Sequence, residues 1–401
     1  MPQSRAAQVP PGVFTAAGEN AASTASTAST ASTASTASTA STARTAARPA
    51  PAPARRRLLK LGAMLGTGLV LSTQCAGVAH AQAAPTKVRF QLDWRFEGPA
   101  ALFLLGEQKG YYMAEKLEVS IDAGNGSGNV VNRVASGTYD MGFADMSSVM
   151  EFYGNNPDAK NKPVAVMMVY NNTPAAILAL KKSGIRAPKD LAGKRLGAPV
   201  FDAGRRAFPI FARANGLQAS SFNWQAMDPT LRETMLVRGD LDAITGFSFT
   251  SILNLNARGV RDEDIVVLPY PQFGVKLYGN AVIASEEFIK RNPEAVKAFL
   301  RAFSKSARDV IARPEEGIRA LKARDGIIDE KLETRRLKLA LDSVVRSPDA
   351  KAEGFGRVSK PRLSLMASQV ADAFGTKGRI NADALWTDAY LPGAAELDVL
   401  R

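Results

Sequence analysis

The chain has 401 residues, 46% of them apolar and 22% charged, with a formal charge of +13, so it can bury a sizeable core in one or two domains. Its single histidine, His80, and single cysteine, Cys75, both lie in an N-terminal stretch that reads as a removable export signal. With both gone, histidine bases, cysteine nucleophiles, Ser/His/Asp triads, thiolate zinc sites and intramolecular disulfides are excluded; carboxylate, lysine, hydroxyl or carboxylate–metal chemistry remains, or binding alone.

From Ala22 to Thr42 the triplet Ala-Ser-Thr repeats seven times. Such a tract lacks the large apolar side chains that offset ordering entropy, so residues 1–54 read as a disordered low-complexity extension. Residues 55–83 read as a signal peptide: Arg55-Arg56-Arg57-Leu58-Leu59-Lys60, an apolar Gly-containing run, then Ala79-His80-Ala81-Gln82-Ala83. The paired arginines are similar to the twin-arginine export motif. Gly, Thr, Ser and Gln interrupt the run and argue against an uncleaved anchor. Cleavage after Ala81 or Ala83 and a periplasmic location are expected. Removal of this stretch takes away seven basic residues and Glu19, which lowers the charge from +13 to +7. The remaining charges are interspersed, which argues against nucleic acid as a partner.

From residue 87 onward short β runs alternate with amphipathic helices, the pattern of βαβ units around mostly parallel sheets. Val88–Leu92 reads as a first strand, 99–114 as a helix, Leu117–Ile121 as a strand, and 129–135 as a helix opened by the turn Gly124-Asn125-Gly126-Ser127-Gly128. Strands follow at Met141–Ala144, Val164–Tyr170 and Ala176–Leu180. The pattern then restarts with strands at 196–200, 222–224, 241–245 and 265–269 and helices at 208–215, 231–238 and 248–258. The restart predicts a second lobe of roughly ninety residues inserted in the first: lobe one from 84–180 and 278–401, lobe two from 181–277. Beyond Tyr278 the chain turns helical. Asn292 is expected to cap a helix that starts at Pro293 and buries Val296, Phe299, Leu300, Phe303, Ala307 and Val310. Further helices are expected at 332–345, 361–374 and 382–390.

Ligands of parallel sheets sit just outside the carboxyl ends of the strands. Asp93 and Trp94 follow the first strand directly, Asp145 follows the third, and Asp202 with Arg205 occupies the equivalent place in the second lobe. A carboxylate there pairs with an amine, an arginine with a carboxylate or sulfonate, and Trp94 stacks on a flat ligand. Pro209 is expected in the first turn of its helix, which leaves Arg205 in the loop before it. The glycine turn fails the dinucleotide fingerprint, because Asn129 stands where the third glycine belongs. Its Gly126 and Ser127 instead offer backbone N–H groups to an anion or a polar ligand edge. Thr245 and Phe247 supply a hydroxyl and an aromatic wall, and Tyr278 marks the return to lobe one. Gly193-Lys194 is no phosphate loop, since Arg195 stands where a hydroxyl must bind magnesium. No metal site and no catalytic residue is nominated.

Taken in order, Val88-Arg89-Phe90-Gln91-Leu92-Asp93-Trp94, Lys109-Gly110-Tyr111-Tyr112, Leu117-Glu118-Val119, Val134 to Asp145 and Asp190-Leu191-Ala192-Gly193-Lys194 resemble the periplasmic solute-binding proteins of nitrate, taurine, alkanesulfonate and aminopyrimidine importers. These share a domain with thiamine-pyrimidine synthases. The resemblance implies an α/β two-lobed clamshell of type II with crossovers near Leu180 and near Tyr278, and a monomer that hands a small organic anion or heterocycle to an inner-membrane ABC permease. It implies no cofactor and no reaction. In the pyrimidine binders an Asn follows the Asp-Trp pair closely; here Arg95-Phe96-Glu97-Gly98 follows, with Glu97 as the residue that could compensate. The alternative within the resemblance is the synthase itself, which uses pyridoxal phosphate, consumes its own histidine and carries a cysteine-rich motif. The mature chain has neither residue type.

Overall fold

The computed structural model describes residues 84–400. The repeat tract, the twin-arginine-like stretch and the cleavage point at Ala81 or Ala83 lie outside the described residues. Ten strands form two five-stranded sheets. The first sheet has the order β2-β1-β3-β10-β4, built from β1 Thr86–Gln91, β2 Leu117–Asp122, β3 Met141–Asp145, β4 Pro163–Met168 and β10 Asn280–Ser285. The second has the order β7-β6-β8-β5-β9, built from β5 Ala175–Leu180, β6 Leu196–Gly197, β7 Trp224–Gln225, β8 Ala243–Phe247 and β9 Ile265–Pro269. In each sheet one strand runs against the rest, β10 in the first and β5 in the second. Each is the strand that enters straight from the other sheet, without the helical crossover that returns a chain parallel to itself.

The first helices are α1 Ala101–Gln108, α2 Tyr111–Ala114, α3 Ser127–Ala135 and α4 Met146–Asn155. Around the second sheet lie α5 Ala203–Ala214, α6 Arg232–Arg238 and α7 Ser248–Asn256. The C-terminal part holds α8 Glu286–Arg291, α9 Pro293–Ala312, α10 Pro314–Arg324, α11 Glu330–Ala340, α12 Pro348–Glu353, α13 Lys360–Phe374 and α14 Ala394–Leu397. Among the described residues no helix is long and apolar enough to cross a membrane. The apolar face expected for α9 is its buried face: Phe299 stacks on Phe90 at 5.0 Å between ring centroids, and Phe303 on Phe103 at 4.6 Å.

Several elements depart from the sequence expectation for local reasons. The helix expected over 99–114 is broken at Gly110, whose φ of 68° ends α1 and restarts the chain as α2. α3 begins at Ser127, two residues early. α5 begins at Ala203 and not near Phe208, because Asp202 is its N-cap and accepts from the Arg205 N–H at 2.8 Å. Pro209 therefore sits inside the helix and Arg205 in its first turn. Pro293 does open α9, but the Asn292 side chain makes no capping hydrogen bond. The expected strand over 222–224 is displaced to Trp224–Gln225. The helix expected over 382–390 is only a short 3-10 turn, Ala382–Ala384. Its continuation adds to the sheet edge instead: the Ala165 N–H donates to Leu385 O and the Thr387 N–H to Ala165 O. The first crossover is 169–174 and not near Leu180, since Ala175–Leu180 already belongs to the second sheet. That run is apolar and buried throughout, so its pattern marks no boundary.

The glycine turn touches the second lobe backbone to backbone. Gly126 has φ 122°, and a Cβ there would lie 2.2 Å from Phe201 O across the cleft. The Gly128 N–H donates to the same carbonyl at 3.3 Å. Gly126→Ala combines a disfavoured backbone with a wedge at the cleft. We expect it to push the lobes apart, seen as a larger radius of gyration in solution scattering, and an unchanged radius contradicts this placement.

Candidate functional site

The carboxyl ends of strands from both sheets face each other across a cavity. One half is largely aromatic and is walled by Phe103, Phe143, Tyr170, Phe247 and Phe249, with Leu92, Asp93, Trp94, Arg95, Glu97 and Thr250. The adjoining half is more polar and is lined by Asp93, Trp94, Gly126, Ser127, Asp202, Ala203, Arg232, Phe247 and Thr250. An apolar enclosure with a few converging polar groups is the usual make-up of a small-molecule site.

The polar half is built from element termini. Asp202 caps α5, accepts from the Thr245 hydroxyl at 2.9 Å and pairs with Arg232 at 3.1 Å. Arg232, 1% exposed, also pairs with Glu233 at 2.7 Å, and its guanidinium carbon stands 4.9 Å from the Trp94 ring centroid. Glu97 accepts from the Thr250 hydroxyl at 3.0 Å, which links the first sheet's loop to α7. Arg95 pairs with Glu97 at 3.4 Å. Both lining arginines are therefore already engaged by carboxylates. Asp93 is different. Its carboxylate accepts from Asn280 Nδ2 at 2.7 Å and forms no ion pair among the described residues. Burial pushes it up to about 7 against the Asn280 hydrogen bond, with Asp145 and Glu97 adding repulsion. The Trp94 indole nitrogen is buried without a hydrogen-bond partner among the described residues.

Of the ten nominated residues, Asp93, Trp94, Gly126, Ser127, Asp202 and Phe247 line the cavity. Two lie just behind it. Thr245 supports Asp202, and Asp145 caps α4 through the Ser147 N–H at 2.9 Å, its own N–H donating to Ser127 Oγ at 3.0 Å. Burial raises Asp145 to about 6. Arg205 and Tyr278 are corrections. Arg205, carried into the helix by the Asp202 cap, turns away to donate to Ala198 O at 2.8 Å and lies over Trp224. Tyr278 is fully buried and bonds Glu353 at 2.6 Å, far along the chain. The turn amides are engaged too: the Gly126 N–H donates to Asp93 O at 2.7 Å and the Gly124 N–H to Trp94 O at 2.9 Å. The support for an anionic ligand from Arg205 is thereby lost, and that from the Gly126 N–H with it. Sequence reading missed Arg232, Tyr170, Phe249 and Thr250. Phe249 and Thr250 follow Phe247 closely in the chain, whereas Arg232 reads as a solvated helix charge.

A raised carboxylate makes stability fall with pH. Between about 4 and about 7 the folded chain holds protons on Asp93 and Asp145 that the unfolded chain has released, so stability drops as pH rises through this window and levels off above it. In denaturant titrations at pH 5 and pH 8, Asp93→Asn is expected to flatten that decline, gaining stability relative to wild type at pH 8. An equal pH slope in both proteins would mean that burial does not hold the proton on Asp93.

Two five-stranded sheets exchanging one strand each, with the site between their strand ends, define the two-lobed clamshell of periplasmic binding proteins. The aliphatic sulphonate-binding protein SsuA of Escherichia coli superposes with a TM-score of 0.59 at 14% identity, over 77% of this chain and 95% of that one. Residues 100–317, more than half of the chain, match the NMT1/THI5-like family, and the chain belongs to it. A 4-amino-5-hydroxymethyl-2-methylpyrimidine phosphate synthase of Aspergillus parasiticus is 26% identical over 57% of this chain and 68% of its own. The riboflavin-binding protein RibY of Chloroflexus aurantiacus is 29% identical over 54% of this chain and 60% of its own.

Proposed function

We propose that the protein is an exported solute-binding protein that traps a flat nitrogen heterocycle bearing N–H donors and delivers it to an ABC importer. The observation that carries this is the Asp93 carboxylate, which faces the cavity beside Trp94 with no cation to neutralise it while both lining arginines are engaged. A ligand N–H opposite Asp93 makes a charge-assisted hydrogen bond, and an aromatic ligand fills the half walled by Phe143, Tyr170 and Phe247. A sulfonate or nitrate would meet that carboxylate instead. Closure follows from contacts made to both lobes at once, which shift the population by the difference in affinity between open and closed forms.

The curated relatives include both an enzyme and a binding protein. The synthase reading requires a histidine and a cysteine-rich motif, and residues 84–401 contain neither histidine nor cysteine. That favours binding without a reaction. The test is calorimetric titration with riboflavin and with an aminopyrimidine, followed by analysis of the recovered ligand. Stoichiometric binding with unaltered ligand supports the proposal. Release of a pyrimidine product on incubation with pyridoxal phosphate would sink it.

A further inference from the structure

The two crossovers between the sheets, 169–174 and 270–279, lie side by side. The Thr173 N–H donates to Leu277 O at 2.9 Å and the Gly279 N–H to Tyr170 O at 2.9 Å. A Cβ on Gly279 would lie 2.7 Å from Asn172 O, so the crossovers touch backbone to backbone. A third segment, distant in sequence, grips both. Arg362 in α13 donates to Asn171 O at 2.7 Å, to Asn171 Oδ1 at 3.0 Å and to Asn172 Oδ1 at 2.8 Å in the first crossover. Its guanidinium carbon lies 3.9 Å from the ring centroid of Tyr278 in the second. Glu353, at the end of α12, accepts from the Tyr278 hydroxyl at 2.6 Å and from Asn171 Nδ2 at 3.1 Å, and it pairs with Arg362 at 3.3 Å. The Ser359 N–H donates to the same Tyr278 hydroxyl at 2.8 Å. α13 itself packs on α4 from the first lobe and on α5 from the second.

We propose that Arg362 and Glu353 form a staple across the hinge that holds both crossovers in the arrangement in which the lobes meet, and so set the balance between open and closed forms. This rests on the reading that the lobes open and close about these crossovers. A hinge works by changing φ and ψ in its few connecting residues. Any rotation of 169–174 against 270–279 must lengthen bonds from one planar guanidinium to backbone and side-chain acceptors on one crossover while it stays stacked on the other. A lysine keeps the charge but lacks the fork that makes several such bonds at once. The position of Tyr278 is thereby explained: it is a hinge anchor and not a wall of the site.

The experiment measures inter-lobe distances by electron spin resonance in the mature protein labelled at Lys87→Cys and Arg186→Cys, in wild type and in Arg362→Lys, Glu353→Gln and Tyr278→Phe backgrounds, with no ligand added. Thermal unfolding of each variant checks that it remains folded. A longer-distance population of at least about a tenth in Arg362→Lys and Glu353→Gln, absent from wild type, is the expected result. The separate Gly126→Ala wedge distinguishes the two ways of failing. If it lengthens the distance while all three staple variants match wild type, the lobes do move and the staple is overturned. If no variant, the wedge included, departs from a single narrow distance, the moving-lobe reading falls and takes the staple with it.

Discussion

Arg232→Met is expected to destabilise the fold by about 3–5 kcal/mol, the largest effect of any single change considered. Arg232 is 1% exposed and answers two buried carboxylates, Asp202 and Glu233, and one oxygen of Glu233 already lacks a partner. Methionine fills much of the same volume but leaves both negative charges in a medium that solvates them poorly, which is costlier than never having had the pair. Adding Glu233→Gln removes one of the stranded charges and should recover part of the loss. Denaturant titration of the single and double variants measures both effects. A single variant within about 0.5 kcal/mol of wild type, the scatter of ordinary surface substitutions, would mean that the cluster under Trp94 is not dry.

Trp94→Ala is expected to weaken ligand binding by about thirty-fold, roughly 2 kcal/mol, the scale set by buried tryptophan hot spots. Like Phe247, Trp94 walls both halves of the cavity, and Arg232 stands over its ring. Removing it takes away a stacking surface and lets water reach Asp93, which weakens the hydrogen bond proposed for the ligand's N–H. Phenylalanine at the same position keeps the face and should restore most of the affinity. Equal affinities in wild type and alanine variant, measured by calorimetry, would place the ligand elsewhere.

How much of this was legible in the sequence depended on whether the determining partner lay nearby in the chain. Asp93, Trp94 and Asp202 were readable because strand ends are local events and ligands collect there. Arg205 misled through a single local error: Pro209 was placed in the first turn, while the Asp202 cap starts the helix earlier and swings Arg205 to Ala198. Tyr278 misled for a different reason. Its partners Glu353, Ser359 and Arg362 come from more than seventy residues further on, and no spacing rule connects them. Arg232 was invisible for the same cause, since only the fold sets α6 against the cap of α5 and the loop after β1. The direction of each sheet followed from the alternation of strand and helix, but the reversed strands β5 and β10 did not. An antiparallel entry from the other lobe leaves no mark on apolar periodicity.

That the cleft selects an N–H-bearing heterocycle and performs no reaction on it is tested most directly by thermal unfolding of residues 84–401. The panel is riboflavin, aminopyrimidines, taurine, alkanesulfonates, nitrate and pyridoxal phosphate. A ligand at one hundred times its dissociation constant adds about 2.7 kcal/mol, which moves the midpoint by several degrees. Such a shift is expected with a flat N–H heterocycle, with no shift from the sulfonates or nitrate and loss of the shift in Asp93→Ala. A shift with a sulfonate or nitrate alone, or with pyridoxal phosphate together with a released pyrimidine, would contradict it.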